Sequence, residues 1–335
     1  MLDKTNTTSQ RDTLIVPEIL REDLAKVETI IRERSDSELV ERINQVLLHI
    51  FGSGGKRFRP LLTLSAARLL GYEGDHHLNL AAAVEFVHTA TLVHDDVVDQ
   101  SKQRRGKPAA NYLWDDKTSV LVGDYLFARS FQLMVSADSL RSLAVLSDAS
   151  ATIAEAEVLQ LVNQNNSSIS VDTYLTIIQG KTAALFSAAT AVGGIVGRGT
   201  DQQIRGLTEF GNYLGIGFQI MDDLLDYEGH SPELGKNVGD DFKEGKVTLP
   251  VIRAIEQADE KEIVFWKRVF EDNNIVDGDL ERALMILKTR GIIEEVRAQA
   301  FSWSEKAKGC LEKLPDNHIA SFLGNLADNS VARKS

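Results

Sequence analysis

The sequence predicts an all-α protein, and three observations carry that reading. Apolar residues recur at helical spacing along nearly the whole chain. Ala, Leu and Val are plentiful, whereas Phe, Trp and Tyr make up only 7% of residues. No convincing alternating strand lies between Gly- or Pro-marked turns. With 335 residues the chain has room for one large domain or two ordinary ones. No low-complexity linker divides it, so the expectation is one helical domain over 17–335 behind a loose polar tail at 1–16.

The elements follow in order. Leu20, Leu24, Val27, Ile30 and Ile31 make the stripe of a first helix; Leu39, Ile43, Val46, Leu47 and Ile50 make that of a second. Longer helices are expected near 60–71, 78–100, 117–136, 138–165, 171–197 and 201–228. Shorter ones should follow near 248–257, 260–272, 278–290, 292–313 and 316–328. Three loops rich in charge or glycine interrupt the pattern, at 51–60, 100–111 and 229–248. Loops held on a rigid scaffold are where chemistry tends to sit.

Composition narrows the function. A hydrophobic fraction of 43% and a charged fraction of 26% exclude a disordered chain. A net charge of −12 argues against a nucleic-acid partner and against docking on anionic lipid. The lone Cys310 excludes an internal disulfide framework and a cysteine-based zinc site, and it fits a reducing compartment such as the cytoplasm. The polar start, MLDKTNTTSQRD, has no apolar stretch of the signal-peptide kind. The uncharged segment 182–197 is full of Ala, Ser, Thr and Gly. It reads as a buried helix with close neighbours rather than a membrane span.

The strongest chemical signal is a pair of acidic clusters, Asp95-Asp96-Val-Val-Asp99 and Asp222-Asp223-Leu-Leu-Asp226. On a helix, positions i and i+4 share a face, so Asp95 pairs with Asp99 and Asp222 with Asp226, while the Val-Val and Leu-Leu pairs point to the core. Like charges one turn apart cost about 0.2–0.5 kcal/mol per exposed pair, and a bound cation offsets that cost. All-oxygen donors favour Mg²⁺ or Mn²⁺ over zinc. One such cluster could as well be a solvated helix end; two, each after an almost uncharged helix, are hard to read that way.

The second signal is Gly54-Gly55-Lys56-Arg57-Phe58-Arg59-Pro60, a flexible turn carrying three cations and suited to a phosphate or diphosphate. It is not a P-loop, since the GxxxxGK[ST] pattern and its strand are missing. Alone it could be an ordinary basic turn. The third is Arg104-Arg105-Gly106, just beyond Asp99, which could clamp a diphosphate or simply pair with the carboxylates. Lys181-Thr182 opens an uncharged stretch, Gln219 lies one turn before the second cluster, and His88 shares a face with Asp95. Taken singly, these last residues read as ordinary ion pairs, satisfied polar groups or a core histidine.

Together and in this order, the motifs resemble the trans-type (all-E) isoprenyl diphosphate synthases over about residues 20–330. The resemblance covers the GGKR-x-RP loop, the first aspartate motif with its trailing RR-G, the KT pair, FQ-x-x-DD-x-x-D and the downstream LGK. The segments EFVHTATLVHDDVVD and LGKNVGDDFKEGKVTLP look most like the long-chain, octaprenyl branch. The resemblance implies a bundle of ten or more helices around a central cavity. It implies that Lys56, Arg59, His88 and Arg105 hold isopentenyl diphosphate. Asp95, Asp99 and Asp222 would bind two or three Mg²⁺ ions, with Asp96, Asp223 and Asp226 nearby or acting through water. Arg104, Lys181, Thr182, Gln219 and Lys236 would contact the allylic diphosphate, and Lys181, Gln219 and Asp222 would form the catalytic set.

The implied reaction is Mg²⁺-dependent, repeated condensation of isopentenyl diphosphate onto an allylic diphosphate such as farnesyl diphosphate. The product would be a C40 chain for quinones, made by a homodimer without stable membrane insertion. Two other readings fit less well. A class I terpene cyclase would carry an NSE-type second motif, and a non-catalytic partner subunit would be expected to lose aspartates or the basic loop.

One stripe bears on product length. Thr91, Ala90, Val87, Val84 and Ala83 run down the helix away from Asp95, none of them aromatic. In the family, bulky residues four or five places before the first aspartate close the tunnel of short-chain enzymes, and here those places hold Thr91 and Ala90. Phe131 and Met134 are candidates for the tunnel floor. Alternatively, the small residues merely let helices pack closely.

Overall fold

The computed structural model describes residues 14–52, 54–228 and 238–333. The helices are α1 (Glu18–Ser35), α2 (Glu41–Phe51), α3 (Phe58–Leu69), α4 (His76–Val98), α5 (Ala110–Leu113), α6 (Asp116–Ser136), α7 (Leu140–Val162) and α8 (Val171–Ile178). They continue with α9 (Ala184–Val196), α10 (Asp201–Glu228), α11 (Asp240–Lys243), α12 (Leu249–Glu256), α13 (Glu260–Phe270), α14 (Asp279–Thr289), α15 (Ile292–Leu311) and α16 (His318–Val331). The fold is all-α, as the periodicity predicts.

Several starts are set by side-chain caps. Asp115, Ser139 and Ser170 accept backbone N–H bonds at the openings of α6, α7 and α8, and Asp259 and Glu262 form a reciprocal capping box on α13. Each cap contributes about 0.5–2 kcal/mol.

Three local differences from the sequence reading stand out. Leu39 precedes α2 and is 91% exposed, because the chain is still extended at Val40. The expected helix over 171–197 is broken by a π-helical turn at Gln179–Ala183, between α8 and α9. The loop at 100–111 holds a two-stranded ribbon, β1 (Gln103–Arg104) against β2 (Lys107–Pro108). Its turn residues Arg105 and Gly106 have φ of 51° and 72°, the left-handed pair that a tight hairpin turn requires.

The core has two parts. One gathers α1–α4, α6, α7 and α9, and Leu14 and Val16, read as tail from the sequence, are already partly buried against it. The other gathers α8, α12–α15 and the C-terminal half of α10 around Trp266, Phe265 and Phe270. Helix α10 runs through both. The segment Val171–Val196 is long and apolar enough to qualify as a membrane span by composition, but 67% of its most apolar window is buried within the fold, as in the core helices of a folded domain.

Glycines let α10 close on the π turn. A Cβ at Gly215 would lie 2.5 Å from Ala183 Cα, and one at Gly211 would lie 2.5 Å from Phe186 O. That approach brings the ends of α4 and α10 and the π turn into one neighbourhood.

Candidate active site

The basic loop between α2 and α3 packs against the middle of α4. Arg59 Nη1 lies 3.0 Å from His88 Nε2. A guanidinium only donates, so His88 Nε2 accepts and the ring is neutral, with its proton on Nδ1. Burial, with Arg59 and Arg105 nearby, holds His88 well below the usual histidine range. Burial also pushes Arg59 down to about 10, with Glu85 and Asp222 pulling the other way. Arg59 lies over the Phe186 ring at 4.7 Å, and its Nε is buried without a hydrogen-bond partner among the described residues. Arg105 donates to the carbonyl of Gly54. Lys107 Nζ donates to Gly52 O at 2.9 Å, and His49 Nε2 meets Pro108 O at 2.8 Å, so the ribbon is clasped onto the loop. Lys56 is exposed on the same loop. The structure thus brings together Arg59, His88 and Arg105, with Lys56 beside them.

The first aspartate cluster closes the C-terminus of α4. Asp99 is the cap residue, and its backbone N–H reaches Asp95 O at 2.8 Å. Each carboxylate faces a protein cation. Lys246 Nζ is 2.8 Å from Asp99 Oδ2, Lys181 Nζ is 3.6 Å from Asp95 Oδ2, and Arg104 grips both oxygens of Asp96 at 2.8 and 2.9 Å. Lys181 also donates to Glu157 at 2.7 Å and Gln160 at 2.8 Å. Burial raises Asp96 in spite of Arg104, and burial and Asp95 raise Glu157. Burial would lower Lys246, but Asp99, Glu244 and Asp241 outweigh it and keep the ammonium firmly charged. The valines of this motif do not both point inward as expected. Val98 is 62% exposed, because α4 ends there and the chain turns away.

The second cluster ends α10, and here Leu224 and Leu225 are buried as expected. Asp222 Oδ1 lies 2.8 Å from Arg333 Nη1, near the C-terminus, and that guanidinium sits over the Phe218 ring at 4.2 Å. Asp223 is buried, accepting from Tyr174 Oη at 2.7 Å and Gln219 Nε2 at 2.6 Å, while Thr182 Oγ1 donates to Gln219 Oε1 at 2.7 Å. Burial, then the charges of Asp241 and Asp222, push Asp223 up to about 8. Asp226 accepts the N–H groups of Asp240 and Asp241 at 3.3 and 3.1 Å, at the opening of α11. Lys236 lies outside the described residues.

No group of three His, Cys, Asp or Glu side chains converges closely enough to cage a metal among the described residues. The donors nevertheless suit Mg²⁺, which takes only one or two carboxylates and completes its shell with water and substrate oxygens. The ammonium groups on Asp95 and Asp99 and the guanidinium on Asp222 show that these carboxylates attract cations in this arrangement.

Comparison with known proteins agrees with this geometry. The polyprenyl synthetase family model matches residues 40–287. The chain belongs to that family. It is 43% identical to octaprenyl diphosphate synthase of Escherichia coli over 320 residues, 95% of this chain and 98% of that one. A crystal structure of a decaprenyl diphosphate synthase from Rhodobacter capsulatus superposes with a TM-score of 0.90 at 56% identity, covering 93% of this chain and 96% of that one. A polyprenyl synthase from Caulobacter crescentus, solved with calcium and isoprenyl diphosphate, gives 0.91 at 44% identity over 94% and 96%. The protein is therefore a trans-prenyltransferase of the long-chain polyprenyl type with the all-α isoprenoid synthase fold.

Within this synthase, Ala83, Val84, Val87 and Ala90 are fully buried, and Thr91 is half-buried with its hydroxyl on His88 O at 2.8 Å. Neither the groove of about 830 Å³ along α7, α9 and α10 nor the smaller cavity under the basic loop is lined by this stripe. Of the two floor candidates, Phe131 is 43% exposed and faces away from the core, so it is withdrawn; Met134 is 1% exposed and points inward. Sequence reasoning missed Lys246, Glu157, Gln160, Tyr174 and Arg333, because each reaches the site from an element distant in sequence. Only Lys246, inside the flagged acidic loop GDDFKEGK, carried a local signal.

Proposed function

We propose that this enzyme adds isopentenyl diphosphate repeatedly to an allylic diphosphate, with farnesyl diphosphate as primer, and makes an all-trans C40 polyprenyl diphosphate for quinone side chains. One observation carries the reading: two separate anion-binding arrangements share the neighbourhood of α4. The cradle of Lys56, Arg59, His88 and Arg105 takes isopentenyl diphosphate, and the orphaned Arg59 Nε is a donor waiting for an anion. Asp95, Asp99 and Asp222, with Asp96, Asp223 and Asp226 close by, would hold two or three Mg²⁺ ions, whose charge would offset that of the allylic diphosphate.

Arg104, Lys181, Thr182, Gln219 and Lys236 hold that diphosphate, and Lys181 and Gln219 stabilise the charge that develops as its C–O bond breaks. To do so Lys181 exchanges Glu157 for the leaving group. The double bond of isopentenyl diphosphate attacks the allylic cation, and the departing diphosphate takes the proton. Buried apolar walls along Ala90 and Val87 keep water from the cation. The growing chain runs down Thr91, Ala90, Val87 and Ala83 toward Met134, and neighbouring side chains shift to admit it.

A homodimer in the cytoplasm completes the reading. Its support is an outward apolar face on α6 and α7 comprising Val120, Leu121, Phe131, Val135, Val158 and Leu161. The Rhodobacter capsulatus relative, described as a decaprenyl enzyme, favours C50 as the second reading. Incubation with farnesyl diphosphate, isopentenyl diphosphate and Mg²⁺, followed by chromatography, tests all of this. A C40 product is expected; a product of C20 or shorter overturns the open-tunnel reading. Ala90→Phe should stay active and stop at a shorter chain. Unchanged product length in a folded variant removes Ala90 from the wall, and simple overpacking would instead cost about 1–3 kcal/mol of stability.

A further inference from the structure

The basic loop leaves Gly54, Gly55 and Lys56 exposed, yet the next residue, Arg57, is only 9% exposed. Its backbone is left-handed, with φ of 46°, a conformation that a non-glycine residue keeps only when its surroundings enforce it. Its side chain supplies the enforcement. Arg57 Nε is 2.6 Å from Glu28 Oε1 on α1, and Nη1 is 2.7 Å from Glu85 Oε1 on α4. Glu85 is 5% exposed and lies one turn before His88. Burial raises the Glu85 carboxyl in spite of the charges of Arg57, Arg59 and Arg105, so this one carboxylate answers to three guanidinium groups.

A second observation ties both loops to the same point. A Cβ at Gly55 would lie 2.9 Å from Arg105 Nη1 and 3.3 Å from Arg57 Nη1, so both guanidiniums pass against the bare backbone there.

We infer that Arg57, forked between Glu28 and Glu85, is a positioning residue that sets where Lys56, Arg59 and Arg105 present their charges, and so tunes affinity for isopentenyl diphosphate without touching it. This rests on the reading of those residues as the isopentenyl diphosphate cradle. A planar fork can span two carboxylates on different helices, and a lysine point charge cannot. Small misplacements of binding groups are costly to function.

The test is steady-state kinetics with each substrate varied in turn, on Arg57→Lys, Glu28→Gln and Arg59→Ala, with thermal melts as the check of folding. Arg57→Lys should raise KM for isopentenyl diphosphate about tenfold, and at least about five times more than KM for farnesyl diphosphate. Glu28→Gln, which loses only the half-exposed partner, should move the same ratio in the same direction by about threefold. A merely structural role would lower the active fraction and leave both KM values alone. If Arg57→Lys does not fold, Glu28→Gln decides. An unchanged KM ratio in the folded variants, with Arg59→Ala still raising KM for isopentenyl diphosphate, overturns the positioning role. An unchanged KM in Arg59→Ala overturns the cradle reading itself.

Discussion

The two aspartate clusters have the same spelling and opposite settings. At the end of α4, Asp95, Asp96 and Asp99 are met by Lys181, Arg104 and Lys246, so each carboxylate faces a protein cation. At the end of α10, Asp222 meets the guanidinium of Arg333. Asp223 is met by neutral donors and pushed up to about 8 by burial, and Asp226 is spent on the backbone of α11. The middle aspartate shows the difference best: Asp96 of the first cluster is gripped by a guanidinium, whereas Asp223 of the second is buried among neutral donors. A repeated motif does not imply repeated duties.

The largest expected effect tests whether both clusters serve the reaction. Asp95→Ala and Asp222→Ala should each lower kcat by about 10²–10³-fold or more, with melting temperatures near wild type, because loss of one of several like charges spares the fold. Near-normal turnover in one variant would mean that the two ends of the site are not partners.

A middle-sized effect probes the buried member of the second cluster in metal-free buffer with EDTA. The folded state holds the Asp223 proton up to about 8, far above the ordinary carboxylate range. The stability from that proton is complete at acid pH and declines as pH rises toward about 8. Asp223→Asn keeps the shape without the ionisation. Its melting temperature relative to wild type should therefore climb between pH 5 and 8 and level off above. A flat difference would show that Tyr174 and Gln219 stabilise the ionised form well enough to cancel burial.

The smallest effect concerns Arg333, which pairs with Asp222 in the second cluster. Arg333 is partly exposed, and such pairs contribute about 0.2–1 kcal/mol. Arg333→Ala should lower the Mg²⁺ concentration for half-maximal activity by about two- to fivefold, because a competitor leaves Asp222. An increase would assign Arg333 to substrate rather than to competition with metal.

Much of this was legible in the chain itself, for a physical reason. Helical burial writes a 3.6-residue period into sequence, so α1, α4, α6, α10 and α15 could be read directly. The aspartates and the GGKR loop stood out because like charges or glycines placed together are costly unless used. What could not be read was who answers whom. Lys246 meets Asp99 across 147 positions and Arg57 meets Glu85 across 28, and no local spacing encodes such meetings. Val98 was misplaced because the motif is centred on a helix end, where the period stops applying. The floor was undecided because Phe131 and Met134 are both apolar, and only the rotation of α6 separates outward from inward.

The π turn at Gln179–Ala183 has one further consequence. A π turn holds an extra residue, so the chain entering from α8 and the chain leaving in α9 are out of phase by about one position, or 100° of helical rotation. Lys181 and Thr182 sit inside that offset, and Gly180 rests with its missing Cβ against Ala156. Excising any one of the five residues would let the whole stretch relax into a continuous α-helix. Because the excised residue is the extra one, α8 and α9 would keep their present phase, with Tyr174 on Asp223 and Phe186 beside Arg59, and the loss would fall on the bulge itself, where Lys181 meets Gln160 and Thr182 meets Gln219. Length, not only side-chain identity, is therefore under constraint here. This segment should tolerate replacement of Ala183 by another small residue far better than the loss of a single residue anywhere within it.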